Sequence, residues 1–155
     1  MRYFAYGSNL SRARIQARLG PVRDLGRAHL PGRVHRFSKR GRDGSGKGNI
    51  ERAPIGADAR VWGVVYELSD AQFDRLTEFE LGYRVVTLEL PSAPVHATAA
   101  TPGPMPVSSF EALTPGPELA PTREYLDHYV TGVREHGIPD DYLDALLGEF
   151  RAILG

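Results

Sequence analysis

The clearest period-two pattern in the chain runs from Val61 to Leu68. It sets Trp62, Val64, Tyr66 and Leu68 on one face and predicts a strand. The period lengthens directly afterwards. Ser69-Asp70-Ala71-Gln72 forms a capping box, with Ser69 as N-cap and Gln72 at the third helical position. Leu68 and Phe73 are placed as a hydrophobic staple, so a helix is predicted from about Asp70 to Glu80. Gly82 ends it, and Tyr83 to Leu90 is another β-rich run.

Elsewhere the pattern is read from its punctuation. Arg2 to Tyr6 is a short aromatic strand bounded by Gly7, with Ser8 and Asn9 as N-caps for an amphipathic segment, Leu10 to Leu19. Gly20 and Pro21 stop that segment. Ala28 to Ser38 holds a strand bent or edged at Pro31-Gly32, and residues 39–49 read as a flexible surface loop. Residues 91–121 carry 8 of the 12 prolines and predict extended structure and loops, with one strand near Val95 to Thr101. Thr122 caps a helix to about His136. A last helix, Asp140 to Leu154, turns Leu143, Leu146, Leu147, Phe150 and Leu154 inward. Strands and helices mix without βαβ alternation or an evident linker. The expectation is one α+β domain over residues 1–155.

Composition narrows the class. At 41% hydrophobic and 25% charged, the 155 residues are those of a globular protein. No apolar run approaches the roughly 18 residues of a membrane span. No signal peptide precedes Tyr3, so a cytoplasmic protein without a membrane partner is expected. The absence of cysteine removes disulfides, thiolate nucleophiles and Cys-ligated zinc. Net charge is zero, yet residues 1–60 hold 14 basic against 4 acidic side chains and residues 61–155 hold 5 against 15. Of the 19 basic residues only Lys39 and Lys47 are lysines. A basic half invites a nucleic-acid partner. Arg33 to Arg42 has one aromatic, Phe37, a poor stacking platform, so a solvated loop is preferred and no nucleic-acid partner is expected.

Two features bear chemistry. In Tyr3 to Leu10 a strand turns through Gly7-Ser8-Asn9 into a helix, which aims free N–H groups and the positive dipole end at one point. That suits a carboxylate or phosphate, though an ordinary capped helix start has the same spacing. The second is Glu80. At about 100° per residue, Phe73, Leu76 and Glu80 fall near 0°, 300° and 340°, while Glu78 points to the other side. An inward carboxylate at a helix C-terminus has its pKa raised by desolvation and by the dipole, as a general base near neutral pH requires. Fraying before Glu80, or an arginine beside it, would remove that effect.

Other patterns fail on context. Gly41 to Lys47 has Walker A spacing, but Gly48 stands where Ser or Thr should hold magnesium, no convincing helix follows, and no apolar strand leads in immediately before it. The five histidines lack metal-ligand spacing, and Gly7-Ser8-Asn9 is not a nucleophile elbow.

The two chemical features together resemble the gamma-glutamylcyclotransferase family. Its signature blocks read here as Tyr3-Phe4-Ala5-Tyr6-Gly7-Ser8-Asn9-Leu10, Val61-Trp62-Gly63-Val64-Val65-Tyr66 and Leu76-Thr77-Glu78-Phe79-Glu80. A fourth block is matched by Pro121-Thr122-Arg123-Glu124-Tyr125, followed by Gly137-Ile138-Pro139-Asp140-Asp141-Tyr142. The resemblance runs nearly end to end and is weakest in residues 39–60 and 91–118.

The resemblance implies a small mixed β-barrel flanked by α-helices, and a small-molecule γ-glutamyl substrate turned over without metal or cofactor. Glu80 would be the catalytic acid/base and 5-oxoproline the product. Tyr6, Gly7, Ser8, Asn9 and Leu10 would bind the α-carboxylate or the developing oxyanion, and Tyr83 and Tyr125 would contact substrate. Geometry alone allows Tyr125 to join Tyr129 and Val133 as helix core. Thr77 and Leu81 depart from the family's usual aspartate and glycine, and no tyrosine falls between Val95 and Thr101. Asn9 leans away from the glutathione-specific branch. γ-Glutamyl amino acids, amines and protected intermediates stay open as substrates. The alternative is a non-catalytic binder of such zwitterions on the same scaffold.

Overall fold

A computed structural model describes residues 1–97 and 103–155. In chain order the elements are β1 (Arg2–Ala5), a 3-10 turn (Ser8–Leu10), α1 (Arg12–Leu19), β2 (Arg23–Pro31), β3 (Arg33–Arg40) and β4 (Gly46–Arg52). There follow β5 (Arg60–Glu67), α2 (Asp70–Phe79), β6 (Tyr83–Leu90), β7 (Met105–Ala112), α3 (Arg123–Glu135) and α4 (Asp140–Leu154). The predicted α+β class holds. Five strands form one sheet in the order β2-β5-β1-β7-β6, and β3-β4 is a separate hairpin. Among the described residues β2 and β6 are not hydrogen-bonded to each other, so the sheet is barrel-like without closing. No helix among those residues is long and apolar enough to cross a membrane.

β1 sits at the centre, antiparallel to β5 with Tyr3 opposite Tyr66 and parallel to β7 with Tyr3 opposite Ser108. Its alternation feeds two cores. Tyr3 and Ala5 join the cluster under α1, α2, α3 and α4, whereas Phe4 and Tyr6 join the one built with Leu25, Ile50 and Leu90. Both faces of β1 are therefore dry, and the residues that leave its C-terminal end are fixed in place.

The capping box is present as read: Ser69 Oγ accepts from Gln72 N–H at 3.1 Å, and Gln72 Oε1 accepts from Ser69 N–H at 3.0 Å. Gln72 Nε2 also donates to the Pro21 carbonyl at 2.8 Å, which ties α2 to the end of α1.

Several expectations are corrected. The N-cap of α1 is Ser11, whose hydroxyl accepts from Arg14 N–H at 3.3 Å, rather than Ser8 or Asn9. The side chains of those two residues are occupied by Arg14, Tyr3, Glu80 and Arg18 instead. Ala28 to Ser38 belongs to two strands joined through Gly32 at φ +76°, a conformation glycine adopts without steric cost.

Residues 39–49 are mostly hairpin, with only residues 41–45 between strands. The glycines that suggested mobility are needed for close packing. A Cβ on Gly46 would strike the Leu119 carbonyl, and one on Gly48 would strike the Tyr129 hydroxyl. β7 was hidden by Pro106 and the proline-rich stretch before it. Pro106 lies opposite Glu89 of β6 and away from Ser108, where β7 meets β1, so its missing N–H is tolerated. Of the strand expected near Val95 to Thr101, residues 95–97 are irregular or turn and 98–101 lie outside the described residues. Leu154 is exposed at the end of α4, while Leu143 and Leu146 are buried and Leu147 and Phe150 pack against the core.

Several ion pairs join the basic first half to the acidic second half, among them Arg33 with Glu111 at 2.8 Å and Arg23 with Glu67 at 3.5 Å. Below α3, Asp24 receives Arg12 Nε and Nη2 at 3.0 and 2.7 Å and His136 Nε2 at 2.7 Å.

Candidate active site

β1 runs out at Ala5 into Tyr6-Gly7 and the 3-10 turn. Leu10 N–H donates to the Gly7 carbonyl at 3.0 Å and Ser11 N–H to the Ser8 carbonyl at 3.2 Å. The first amides of the turn, on Ser8 and Asn9, have no partner within it. Tyr66 secures the turn from below, its hydroxyl within 2.9 Å of the Asn9 carbonyl and 3.2 Å of the Leu10 carbonyl. α3 can press on the turn because residue 132 is glycine, where a Cβ would strike Leu10. The turn thus borders a cleft of about 340 Å³.

Glu80 enters from the opposite wall. The helix ends at Phe79 and Glu80 is its C-cap, with its N–H bonded to the Thr77 carbonyl at 3.2 Å. Its side chain is 16% exposed. Asn9 Nδ2 donates to Oε1 at 3.3 Å and Arg18 Nη1 lies 3.7 Å from the same oxygen. Burial raises the Glu80 pKa, opposed by Arg18, Arg14, Lys39 and the Asn9 hydrogen bond, and burial wins. The arginine that could have cancelled the shift is therefore present without cancelling it. Glu78, expected on the far side of α2, is exposed and borders the cleft.

Two tyrosines close the third side, and both grip one glycine. Gly48 N–H donates to the Tyr125 hydroxyl at 2.9 Å, and the Tyr83 hydroxyl donates to the Gly48 carbonyl at 2.7 Å. Tyr125 accepts in that bond, and its hydroxyl is also hydrogen-bonded to that of Tyr129. Burial raises the pKa of both phenols, so both stay protonated. Behind them the Tyr129 hydroxyl lies 2.8 Å from His35 Nε2, and His35 Nδ1 lies 3.0 Å from Glu149.

Of the residues singled out from sequence, Glu80, Tyr6, Gly7, Ser8, Asn9, Tyr83 and Tyr125 line this one cleft. Leu10 does not. Its side chain is fully buried in the core and its amide closes the 3-10 turn. Sequence reasoning missed Arg14, Arg18, Lys39, Lys47 and Gly48. The i,i+4 spacing of Arg14 and Arg18 after the turn was an available signal for one face. The hairpin residues had none, because β3 and β4 reach the cleft through tertiary packing.

This fold, with a charged cleft between a strand-end turn and a helix-end glutamate, is the gamma-glutamyl cyclotransferase-like fold. A structure described as gamma-glutamyl cyclotransferase superposes with a TM-score of 0.78 at 24% identity, covering 94% of this chain and 85% of that one. An uncharacterized protein from Homo sapiens gives 0.78 at 23% identity, with 94% and 85% covered. A yeast gamma-glutamyl cyclotransferase specific to glutathione gives 0.64 at 14%, with 99% and 96% covered. No curated protein sequence matches significantly. Residues 60–146, more than half of the chain, match the AIG2-like family, and the chain belongs to that family.

Proposed function

We propose that the protein is a γ-glutamyl cyclotransferase-type enzyme that releases 5-oxoproline from a small γ-glutamyl compound. The observation that carries this is Glu80, a carboxylate with a raised pKa facing the first amides of the Ser8–Leu10 turn across one cleft. The substrate α-carboxylate lies against the Ser8 and Asn9 amides near Arg14, and the α-ammonium lies against Glu80. Glu80 takes a proton from the ammonium and the freed amine attacks the γ-carbonyl carbon. A C–N bond closes the five-membered ring while the bond to the leaving nitrogen breaks. The ring nitrogen loses two protons in all and the leaving amine gains two, carried in turn by Glu80. The turn amides are donors for the developing oxyanion. Ring closure is intramolecular, so holding the near-attack geometry is much of the task.

The test is 5-oxoproline release across γ-glutamyl dipeptides, γ-glutamylamines and glutathione. Turnover lost in Glu80→Gln with the fold intact is expected, and full turnover in that variant would rule out the mechanism. The Arg18 contact with Glu80 favours one second reading, a binder in which the carboxylate only recognises an ammonium group. Binding of these compounds with no 5-oxoproline from any of them selects it.

A further inference from the structure

Five cationic side chains border the cleft, Arg14, Arg18, Lys39, Arg42 and Lys47, against the carboxylates Glu78 and Glu80. They form two groups with different employment. Arg14 Nε donates to Ser8 Oγ at 2.9 Å, and Arg18 Nη1 donates to Asn9 Oδ1 at 3.2 Å and faces Glu80. Both are engaged where the γ-glutamyl head is placed above.

Lys39, Arg42 and Lys47 belong to the β3–β4 hairpin. Lys39 and Lys47 stand directly opposite each other in its ladder, and like charges so placed repel. Their ammonium groups lie 5.1 Å from the Tyr83 ring centroid and 4.5 Å from that of Tyr125, the two tyrosines that hold Gly48 at the cleft wall. Against the three cations stand Asp43, 3.7 Å from Lys47 and about half exposed, and Glu80, whose charge Lys39 feels but which already faces Arg18. The only two lysines of the chain are thus forced together at one side of the cleft. A γ-glutamyl head carries one ammonium and one carboxylate, so it adds no net charge to answer them. An anion placed beyond the scissile amide would answer the excess.

We propose that the hairpin forms a second subsite, built for a leaving amine that carries two negative charges, as an acidic amino acid or a phosphorylated amine does. This rests on the cyclotransferase reading and adds the chemistry of the group that leaves.

The experiment compares kcat/KM for γ-glutamyl-glutamate and γ-glutamyl-O-phosphoethanolamine with γ-glutamyl-glutamine and γ-glutamylethylamine. The same four compounds are titrated calorimetrically against the intact protein. A preference for the two dianionic leaving groups of about ten-fold is expected at low salt, shrinking as sodium chloride rises from about 20 to about 500 mM. The ratio between the two acidic compounds tells a carboxylate from a phosphate source. Lys39→Gln with Lys47→Gln should bring the preference below about two-fold, while Lys39→Arg with Lys47→Arg keeps it. Turnover of all four compounds at equal efficiency overturns the anionic subsite and leaves the cyclotransferase reading standing. Acid-preferring binding without 5-oxoproline release overturns the reading and keeps the subsite. Neither turnover nor preferential binding overturns both.

Discussion

Glu80 and Asp24 are both largely withdrawn from solvent, and their surroundings drive them in opposite directions. Glu80, at the cleft, has its pKa raised. Asp24, below the end of α3, is held well below the usual carboxylate range. Burial raises both, and cations stand near both. The difference is direct hydrogen bonding. Asp24 is met by His136 at 2.7 Å, by Arg12 through two nitrogens at 3.0 and 2.7 Å, and by Gly26 N–H at 2.8 Å. Glu80 has one hydrogen bond, 3.3 Å long, and an arginine at 3.7 Å. Charge in the neighbourhood does not settle protonation. A saturated carboxylate becomes structural, and one left under-coordinated stays basic.

The sharpest way to break this contrast is to make the same isosteric change at both sites. Glu80→Gln should lower kcat/KM for 5-oxoproline release by about 1,000-fold. Its stability should equal or slightly exceed wild type at neutral pH, since a carboxylate with a raised folded pKa costs stability above that pKa. Asp24→Asn should do the reverse, costing about 2 kcal/mol in urea denaturation with near wild-type kcat/KM. Equal loss of activity in both variants would erase the distinction.

A smaller effect comes from Arg18. Because it lowers the Glu80 pKa, Arg18→Met should move the acid limb of the kcat/KM profile to higher pH. Activity at pH 5 relative to pH 8 should fall roughly three-fold, and an unmoved limb would mean the arginine does not act on Glu80.

The smallest effect is in the pH dependence of stability. His136 donates from both ring nitrogens, to Asp24 and to the Gly132 carbonyl at 2.9 Å. Burial works against its charge, but these bonds prevail and raise its pKa. Its contribution is therefore full below the unfolded histidine value of about 6.5 and is lost as pH rises through the higher folded value. Asp24 contributes above its ordinary carboxylate value and loses that only in strong acid. Stability should decline by about 1 kcal/mol on the alkaline side in wild type and stay flatter in His136→Gln. Chemical denaturation from pH 5 to 9 measures the difference.

Local signals were legible in the sequence where local forces decide. The β5–α2 junction announced itself because a cap, a staple and a change of period coincide within a few residues, and the same helical arithmetic turned Glu80 inward. The hairpin did not, because glycine and cation content describes a mobile loop as well as it describes strands pressed against tyrosines. What separates those cases is contact with Leu119 and Tyr129, far along the chain. Leu10 was misplaced for a related reason. The family resemblance places it among the residues expected to bind an anion, but its amide closes the turn and its side chain meets Gly132. β7 was masked by Pro106, which is tolerable only given its neighbours.

Gly48 gives both of its main-chain groups to tyrosines and has no room for a side chain. That stretch of the cleft is written in backbone and cannot be retuned by exchanging the residue. Lys39 and Lys47 flank it on flexible stems whose replacement leaves the ladder intact. The wall is thereby divided into a fixed datum and two adjustable jaws. A change in which molecule is accepted would be made at the jaws, most independently at Lys47, since Lys39 also bears on the charge of Glu80.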